Sequence, residues 1–272
     1  MDYNNQAPVN ENAPGAKPES QRKKEYMKFY ESIAQYYDFI FDPEDSAECI
    51  DGLYLKSAPS KILDIGCATG SLACGLAELG HYVTGIDLDE KMIGIAAGKR
   101  DEKGLNAEFM SANMLDIAGI FEKNKFGAAV CVGNTIVHLD NAQNIRDFFV
   151  SVYEILKPGG IFIAQILNYD RIMSKKIEKL ALIENDKIKF ERYYDLDSEK
   201  HGGRIIFKTR LSVKENGAVI ENEAPLYPAK KQEIFEALGA AGFAETGFYS
   251  DIDKTPFSVE TSGPLAFSAK KP

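Results

Sequence analysis

The segment from Lys61 to Asp89, KILDIGCATGSLACGLAELGHYVTGIDLD, constrains this chain more than any other. Ile62-Leu63-Asp64-Ile65 is a short apolar run with β-branched residues that stops at glycine. Leu72, Leu76 and Leu79 follow at helical spacing, so the stretch reads as strand, tight turn and helix. A second strand, Tyr82 to Ile86, leads into Asp87, which lies 21 residues after Gly66. In such a unit Gly66 and Gly70 bring bare backbone N–H groups against a ligand beside the helix N-terminus. The carboxylate ending the second strand accepts hydrogen bonds from ribose hydroxyls. The expectation is a nucleoside site at the carboxyl end of a parallel sheet.

The loop string, Gly66-Cys67-Ala68-Thr69-Gly70, lacks the G-x-G-x-x-G pattern of dinucleotide sites, and no Gly-Lys-Ser/Thr follows as in a phosphate-binding P-loop. From Leu63 through Gly70 it resembles the first motif of the class I S-adenosylmethionine-dependent methyltransferases, L-D-x-G-x-G-x-G, with Ala68 where the family usually has glycine. The resemblance implies S-adenosyl-L-methionine as cofactor, held by Gly66, Cys67, Ala68, Gly70, Asp87 and Leu88.

A chain of 272 residues can bury one sizeable core with an appended lobe. Its net charge of −9, from 41 acidic and 32 basic residues, argues against a nucleic-acid backbone as the main partner. Cys49, Cys67, Cys74 and Cys131 form no CxxC pair and no zinc spacing, so no metal site is expected. No signal peptide and no long apolar run are visible, which predicts a cytoplasmic chain without membrane insertion. A homo-oligomer is compatible with the sequence.

Residues 1–22, rich in Asn, Pro, Glu and Gly, read as a disordered leader. From Lys23 the aromatics Tyr26, Phe29, Tyr30, Tyr36, Tyr37 and Phe41 recur near helical spacing, and Asp42, Pro43 and Glu44 break the run. They read either as a stripe packed on the core or, by the resemblance, as a helical lid over residues 23–56 that closes on the cofactor with Tyr30 and Tyr37. The methyltransferase domain then spans residues 57–270.

Glu90 to Arg100 reads as a helix, and Ala107 to Met110 as a third strand that runs on to Asn113 and Met114. Asn113 could cap a turn or pair with the edge of an adenine, with Met114 on its face. The resemblance favours the adenine role. The fourth strand, Phe126 to Val132, ends in Gly133-Asn134-Thr135-Ile136-Val137-His138-Leu139, which resembles the Gly-Asn-Ser-x-x-His-Leu segment of small-molecule N-methyltransferases. On that basis Val132 and Asn134 flank the sulfonium and the acceptor. His138 has three readings: a general base, a packing or hydrogen-bonding residue, or a substrate contact.

A helix over Asn144 to Leu156 ends at Lys157-Pro158-Gly159-Gly160 and leads to a fifth strand, Ile161 to Leu167. Asn168-Tyr169-Asp170 is similar to a string of the glycine N-methyltransferase group. That group has Arg before the Asn to hold an amino-acid carboxylate, where this chain has Leu167. An inserted antiparallel lobe is expected at about residues 186–223, punctuated by His201-Gly202-Gly203 and Asn216-Gly217. Tyr193 and Tyr194 on it are either sheet aromatics or acceptor contacts, and Arg192, Arg204 or Arg210 could replace the missing arginine. A helix over Pro228 to Ala241 and strands over Phe243 to Tyr249 and Pro264 to Ala269 finish the chain.

The fold expected is an α/β, Rossmann-like, seven-stranded mixed β-sheet with helices on both faces and the inserted antiparallel β lobe. The resemblance implies methyl transfer from S-adenosylmethionine to a small-molecule acceptor, preferably an amine, by direct in-line attack. Asn134, His138, Tyr37, Tyr169 and Tyr194 are the candidate catalytic residues. C- or O-methylation of a quinone, phenol or antibiotic precursor, a NAD-dependent oxidoreductase and a non-catalytic nucleoside-binding protein are the alternatives.

Overall fold

A computed structural model describes residues 28–41, 46–56 and 58–272. The expected leader, Tyr26 and the break at Asp42, Pro43 and Glu44 lie outside the described residues. Strands β1 (Lys61–Ile65), β2 (Tyr82–Asp87), β3 (Ala107–Ser111), β4 (Phe126–Cys131) and β5 (Leu156–Leu167) belong to a seven-stranded sheet. Four strands then form a separate sheet: β6 (Ile183–Glu184), β7 (Ile188–Asp195), β8 (Ile205–Val213) and β9 (Val219–Leu226). The main sheet is completed by β10 (Ala244–Tyr249) and β11 (Pro264–Lys270), in the order β10-β11-β5-β4-β1-β2-β3. Strand β11 runs antiparallel to both of its neighbours, while β1 to β5 are parallel. The strand order reverses between β1 and β4, and the carboxyl ends of these strands flank a crevice there.

The central strands are apolar on both faces because both are covered. Leu63, Ile65, Ala129, Cys131, Phe162 and Ala164 face one core, built with Phe148 and Phe149 of α3 (Ala142–Ile155) and Leu238 of α5 (Lys231–Ala241). The alternate residues Ile62, Val83, Ala128, Val130 and Ile163 face a second core with Leu72, Ala73 and Leu76 of α1 (Ser71–Glu78). Helix α2 (Glu90–Lys103) begins at Asp89, whose Oδ1 accepts from Lys91 N at 2.8 Å and Met92 N at 3.1 Å, and ends at Gly104 in the left-handed region. Helix α4 (Tyr169–Ser174) follows β5. Its cap, Asn168, is fully buried and donates to Val259 O at 2.9 Å and Ser262 O at 3.0 Å. Asn168 thereby pins the β5 end to the segment before β11.

Two boundaries differ from expectation. Strand β5 starts at Leu156, which pairs with Phe126, so Lys157 to Gly160 bulge out of a continuing strand where a terminated helix and a loop were expected. The lobe runs from Ile183 to Leu226, because the short β6 pairs with β7 and β9 extends to meet Ile205.

The N-terminal segment is helical over residues 28–33, passes through a 3-10 turn at Ala34–Tyr36 and ends in one helical turn, Tyr37–Ile40. Phe29, Ile33 and Ile40 pack onto Ile188, Phe190, Leu211 and Val213 of the lobe. On its other side Ala34 meets Ala68 and Met92. The segment therefore sits between the lobe and the glycine loop. Among the described residues no helix is long and apolar enough to cross a membrane.

Candidate active site

The loop after β1 is shaped by three left-handed residues, Gly66 (φ 73°), Ala68 (φ 47°) and Gly70 (φ 75°). A Cβ on Gly66 would run into Thr135, with Oγ1 at 2.8 Å, and one on Gly70 would lie 2.6 Å from Ala96 Cβ and 2.9 Å from the Phe109 ring. Ala68 holds its unfavourable conformation at a cost of roughly 1–2 kcal/mol. Its N–H donates to Asp87 Oδ2 at 2.9 Å, and Asp87 Oδ1 accepts from Asp89 N at 3.0 Å. Each carboxylate oxygen keeps a further lone pair for a ligand. Burial raises the Asp87 carboxyl, and the backbone donors of Asp89 and Ala68 pull it back.

Two cavities meet at Gly66. One is lined by Asp87, Leu88, Asn113, Met114, Thr135 and His138, among others. Asn113 Oδ1 accepts from Leu115 N at 3.0 Å, so the amide caps the turn while its nitrogen remains for a base edge. The second cavity is lined by Tyr37, Asp64, Cys67, Ala68, Val132 and Gln165, with Phe41 and Asp251 among its other walls. Asp64 is 1% exposed and its Oδ2 has no hydrogen-bond partner. Burial raises this carboxyl to about 7, the charge of Asp87 adds to the effect, and a backbone hydrogen bond from Ala73 opposes it.

The N-terminal segment is tied down over this crevice through Asp38. Its Oδ1 accepts from Thr69 Oγ1 at 2.5 Å and Ser71 Oγ at 3.0 Å, and Lys99 Nζ stands 2.7 Å from Oδ2. Burial works to raise the Asp38 carboxyl, but the hydrogen bonds from Lys99, Thr69 and Ser71 and the charge of Lys99 together hold it below its ordinary value. Tyr30 OH lies 3.0 Å from His138 Nε2. Burial lowers the His138 imidazole to about 3, so the ring is neutral at pH 7, and burial likewise raises the Tyr30 and Tyr37 hydroxyls.

Not every predicted residue reaches a cavity wall. Asn134, left-handed at φ 70°, donates to Tyr169 OH at 3.0 Å, and its Oδ1 accepts from Leu167 N at 2.9 Å. Its side chain thus braces the ends of β4 and β5. Tyr169 is fully buried, and the Tyr194 hydroxyl lies buried beside it without a hydrogen-bond partner. Burial pushes Tyr194 up to about 12. Of the three arginines considered, Arg204 pairs with Asp140 at 3.0 Å, Arg210 with Glu221 at 2.8 Å, and Arg192 donates to Ala181 O at 2.8 Å. None of them lines either cavity. Asp64, Thr135, Gln165 and Asp251 are wall residues that the sequence reading did not select.

Residues 62–160 match the methyltransferase domain family. A putative methyltransferase of Geobacillus sp. (strain WCH70) is 32% identical over 50% of this chain and 57% of its own length. The chain thus spans little more than half of that relative. A glycine/sarcosine N-methyltransferase of Parasynechococcus marenigrum (strain WH8102) is 28% identical over 91% of this chain and 89% of its own. The crystal structure of an S-adenosylmethionine-dependent methyltransferase from Clostridium acetobutylicum superposes with a TM-score of 0.74 at 16% identity, covering 90% of this chain and 98% of that one. That likeness shows the fold, a Rossmann-like methyltransferase sheet with an inserted antiparallel lobe. Residues 62–160 thus form a methyltransferase domain on the class I S-adenosylmethionine-dependent methyltransferase fold, and S-adenosylmethionine is the cofactor of that family.

The crevice fits that group. Asp87 offers lone pairs to two hydroxyls, and Leu88 and Met114 supply apolar surface for a purine. The unpartnered Asp64 Oδ2 calls for a cation, such as an α-ammonium.

Proposed function

We propose that this chain transfers a methyl group from S-adenosylmethionine to the nitrogen of a small molecule. The observation that carries the reading is the pair of cavities joined at Gly66, with Asp87 in one and the unpartnered Asp64 in the other. Asp87, Leu88, Asn113 and Met114 would hold the adenosyl half, and Cys67, Ala68, Val132 and Asp64 the methionyl half. When bound, the cofactor supplies an electrophilic methyl carbon on a sulfonium. The residues of the chain orient the acceptor and exclude water, which is where most of the rate gain lies. Tyr37, Ile40 and Phe41 form the cover over the methionyl side, and Asp38 fastens it. These contacts support the lid role of Tyr37. Tyr30 acts further back, holding His138 against the adenosyl cavity.

His138 as a neutral, weakly basic hydrogen-bond partner fits the structure better than His138 as a general base. Asn134, Tyr169 and Tyr194 then act by fixing the floor that carries Val132, Gly133 and Gln165, whose Oε1 accepts from Gly133 N at 3.1 Å. The preference for nitrogen is supported by the glycine/sarcosine relative, whose likeness extends over the lobe as well as the cofactor half. A net charge of −9 supports a small-molecule acceptor over nucleic acid, and cysteines without CxxC or zinc spacing support a reducing, cytoplasmic setting. The test is incubation with methyl-labelled S-adenosylmethionine and a panel of amines, phenols and quinols, with products read by mass spectrometry. Label on an amine nitrogen supports the reading. Label confined to oxygen or carbon refutes the nitrogen assignment, and binding without turnover on any acceptor refutes the activity.

A further inference from the structure

The methionyl-side cavity carries more negative charge than the cofactor neutralises. Two carboxylates line it, Asp64 and Asp251, and no Lys or Arg does so among the described residues. Asp64 lies near the carboxyl end of β1, at the root of the glycine loop, and its unpartnered oxygen suits the one ammonium that the cofactor brings. Asp251 comes from a different wall, the loop between β10 and β11, and is left for a second cation.

That loop holds Asp251 firmly. Ser250 N donates to Thr255 O at 2.7 Å and Thr255 N to Asp253 Oδ1 at 2.8 Å. Lys254 lies over the Tyr54 ring at 4.2 Å and donates to Leu53 O at 2.8 Å, which fastens the loop to the segment before β1. Asp251 Oδ1 accepts from Ile252 N at 2.8 Å, so Oδ2 is the oxygen left for a ligand. Tyr37 and Phe41, with ring centroids 4.9 Å apart, add aromatic surface to the same cavity. A carboxylate combined with aromatic faces binds an alkylammonium, whereas a carboxylate on the acceptor would meet the like charge of Asp251 and no guanidinium. Position 167, where the glycine N-methyltransferase group has its arginine, is Leu.

We infer that this cavity selects an amine that has no carboxylate beside the nitrogen, and that Asp251 recognises its ammonium form. The inference rests on the nitrogen reading above. Asp251 draws the protonated amine into the cavity, and the proton passes to solvent before the nitrogen reacts.

Two measurements on the full chain test it. Tetramethylammonium is titrated by calorimetry in the presence of saturating S-adenosylhomocysteine. It binds the wild type, binds Asp251→Asn at least about ten-fold more weakly, and keeps its affinity in Asp251→Glu. Equal affinity in wild type and Asp251→Asn, or no binding to the wild type, overturns the inference. In the second, ethanolamine, glucosamine and tyramine are compared with glycine and sarcosine as acceptors. The amines without a carboxylate have the higher kcat/KM, and Asp251→Asn raises their KM about ten-fold at unchanged cofactor Kd. Preference for glycine or sarcosine overturns the inference and leaves N-methylation standing, whereas methylation of phenols alone removes both.

Discussion

Replacing Asp64 by Asn reverses its effect according to whether the cofactor is bound. The carboxyl is 1% exposed, and burial together with the charge of Asp87 raises it from an ordinary value near 3.8 to about 7. Because the folded value lies above the unfolded one, the folded chain holds the extra proton between these limits. Stability is highest below the unfolded value and falls as pH rises toward 7. At about 1.4 kcal/mol per decade, the full loss above pH 7 reaches at most about 4 kcal/mol. Asn fills the same space without titrating. The unliganded Asp64→Asn chain should match the wild type near pH 4 and exceed it by up to about 4 kcal/mol at pH 8. Cofactor binding moves the other way: loss of a charge-assisted contact to the ammonium costs roughly 1.5–3 kcal/mol, about one to two decades in Kd. Urea denaturation across pH 4–8 measures the first effect. Calorimetry in buffers of different ionisation enthalpy measures the second, including a proton released near neutrality by the wild type alone. Parallel stability profiles would mean that Asp64 is not buried with a raised carboxyl, and unchanged cofactor affinity in the variant would mean that it does not hold the ammonium.

Asp38→Ala removes the acceptor shared by Thr69, Ser71 and Lys99, and these contacts, discounted for the exposure of Asp38, are worth roughly 1–2 kcal/mol. Stopped-flow displacement should show cofactor dissociation about five- to thirty-fold faster, and an unchanged rate would mean that the segment does not gate the site. Ala68→Gly relieves a left-handed alanine and should stabilise the chain by about 1 kcal/mol in thermal denaturation, with cofactor affinity preserved. A drop in Tm would contradict the strain argument. Asn134→Ala leaves the buried Tyr169 hydroxyl and the Leu167 N–H without a partner, at about 1–3 kcal/mol. Kinetics should show methyl transfer falling more than cofactor affinity, and full turnover would remove Asn134 from the acceptor floor.

The first half of the main sheet was legible because its signals are local. Strand, glycine turn, helix and Asp87 lie within one βαβ unit, and Asp89 and Gly104 mark the next helix by its caps. Asp64 sits in the same string, but its character arises only when the second core closes over Ile62 and leaves one carboxylate oxygen unpaired. Gln165 and Asp251 reach the cavity from β5 and from the β10–β11 loop, a convergence no local pattern encodes. Thr135 was visible as a residue but not as the side chain that fills the space over Gly66. The spacing of the aromatics Phe29, Tyr30 and Tyr37 fitted both a core stripe and a lid; Phe29 buries into the lobe, while Tyr37 lines the methionyl-side cavity. The bulge at Lys157 to Gly160 was hidden because Pro-Gly-Gly signals a stop, whereas Leu156 had already begun to pair with Phe126.

The crevice at the carboxyl ends of β1, β2 and β4 is the proposed seat of S-adenosylmethionine, held through Asp87. Isothermal titration of S-adenosylmethionine into the wild type and into Asp87→Ala tests this most directly, with circular dichroism to show that both are folded. Loss of the ribose contacts is worth roughly 1.5–3 kcal/mol, so saturable binding to the wild type should weaken by about one to two decades in the variant. Equal affinity in both chains, or tight binding of NAD in place of S-adenosylmethionine, would mean that Asp87 does not hold this cofactor.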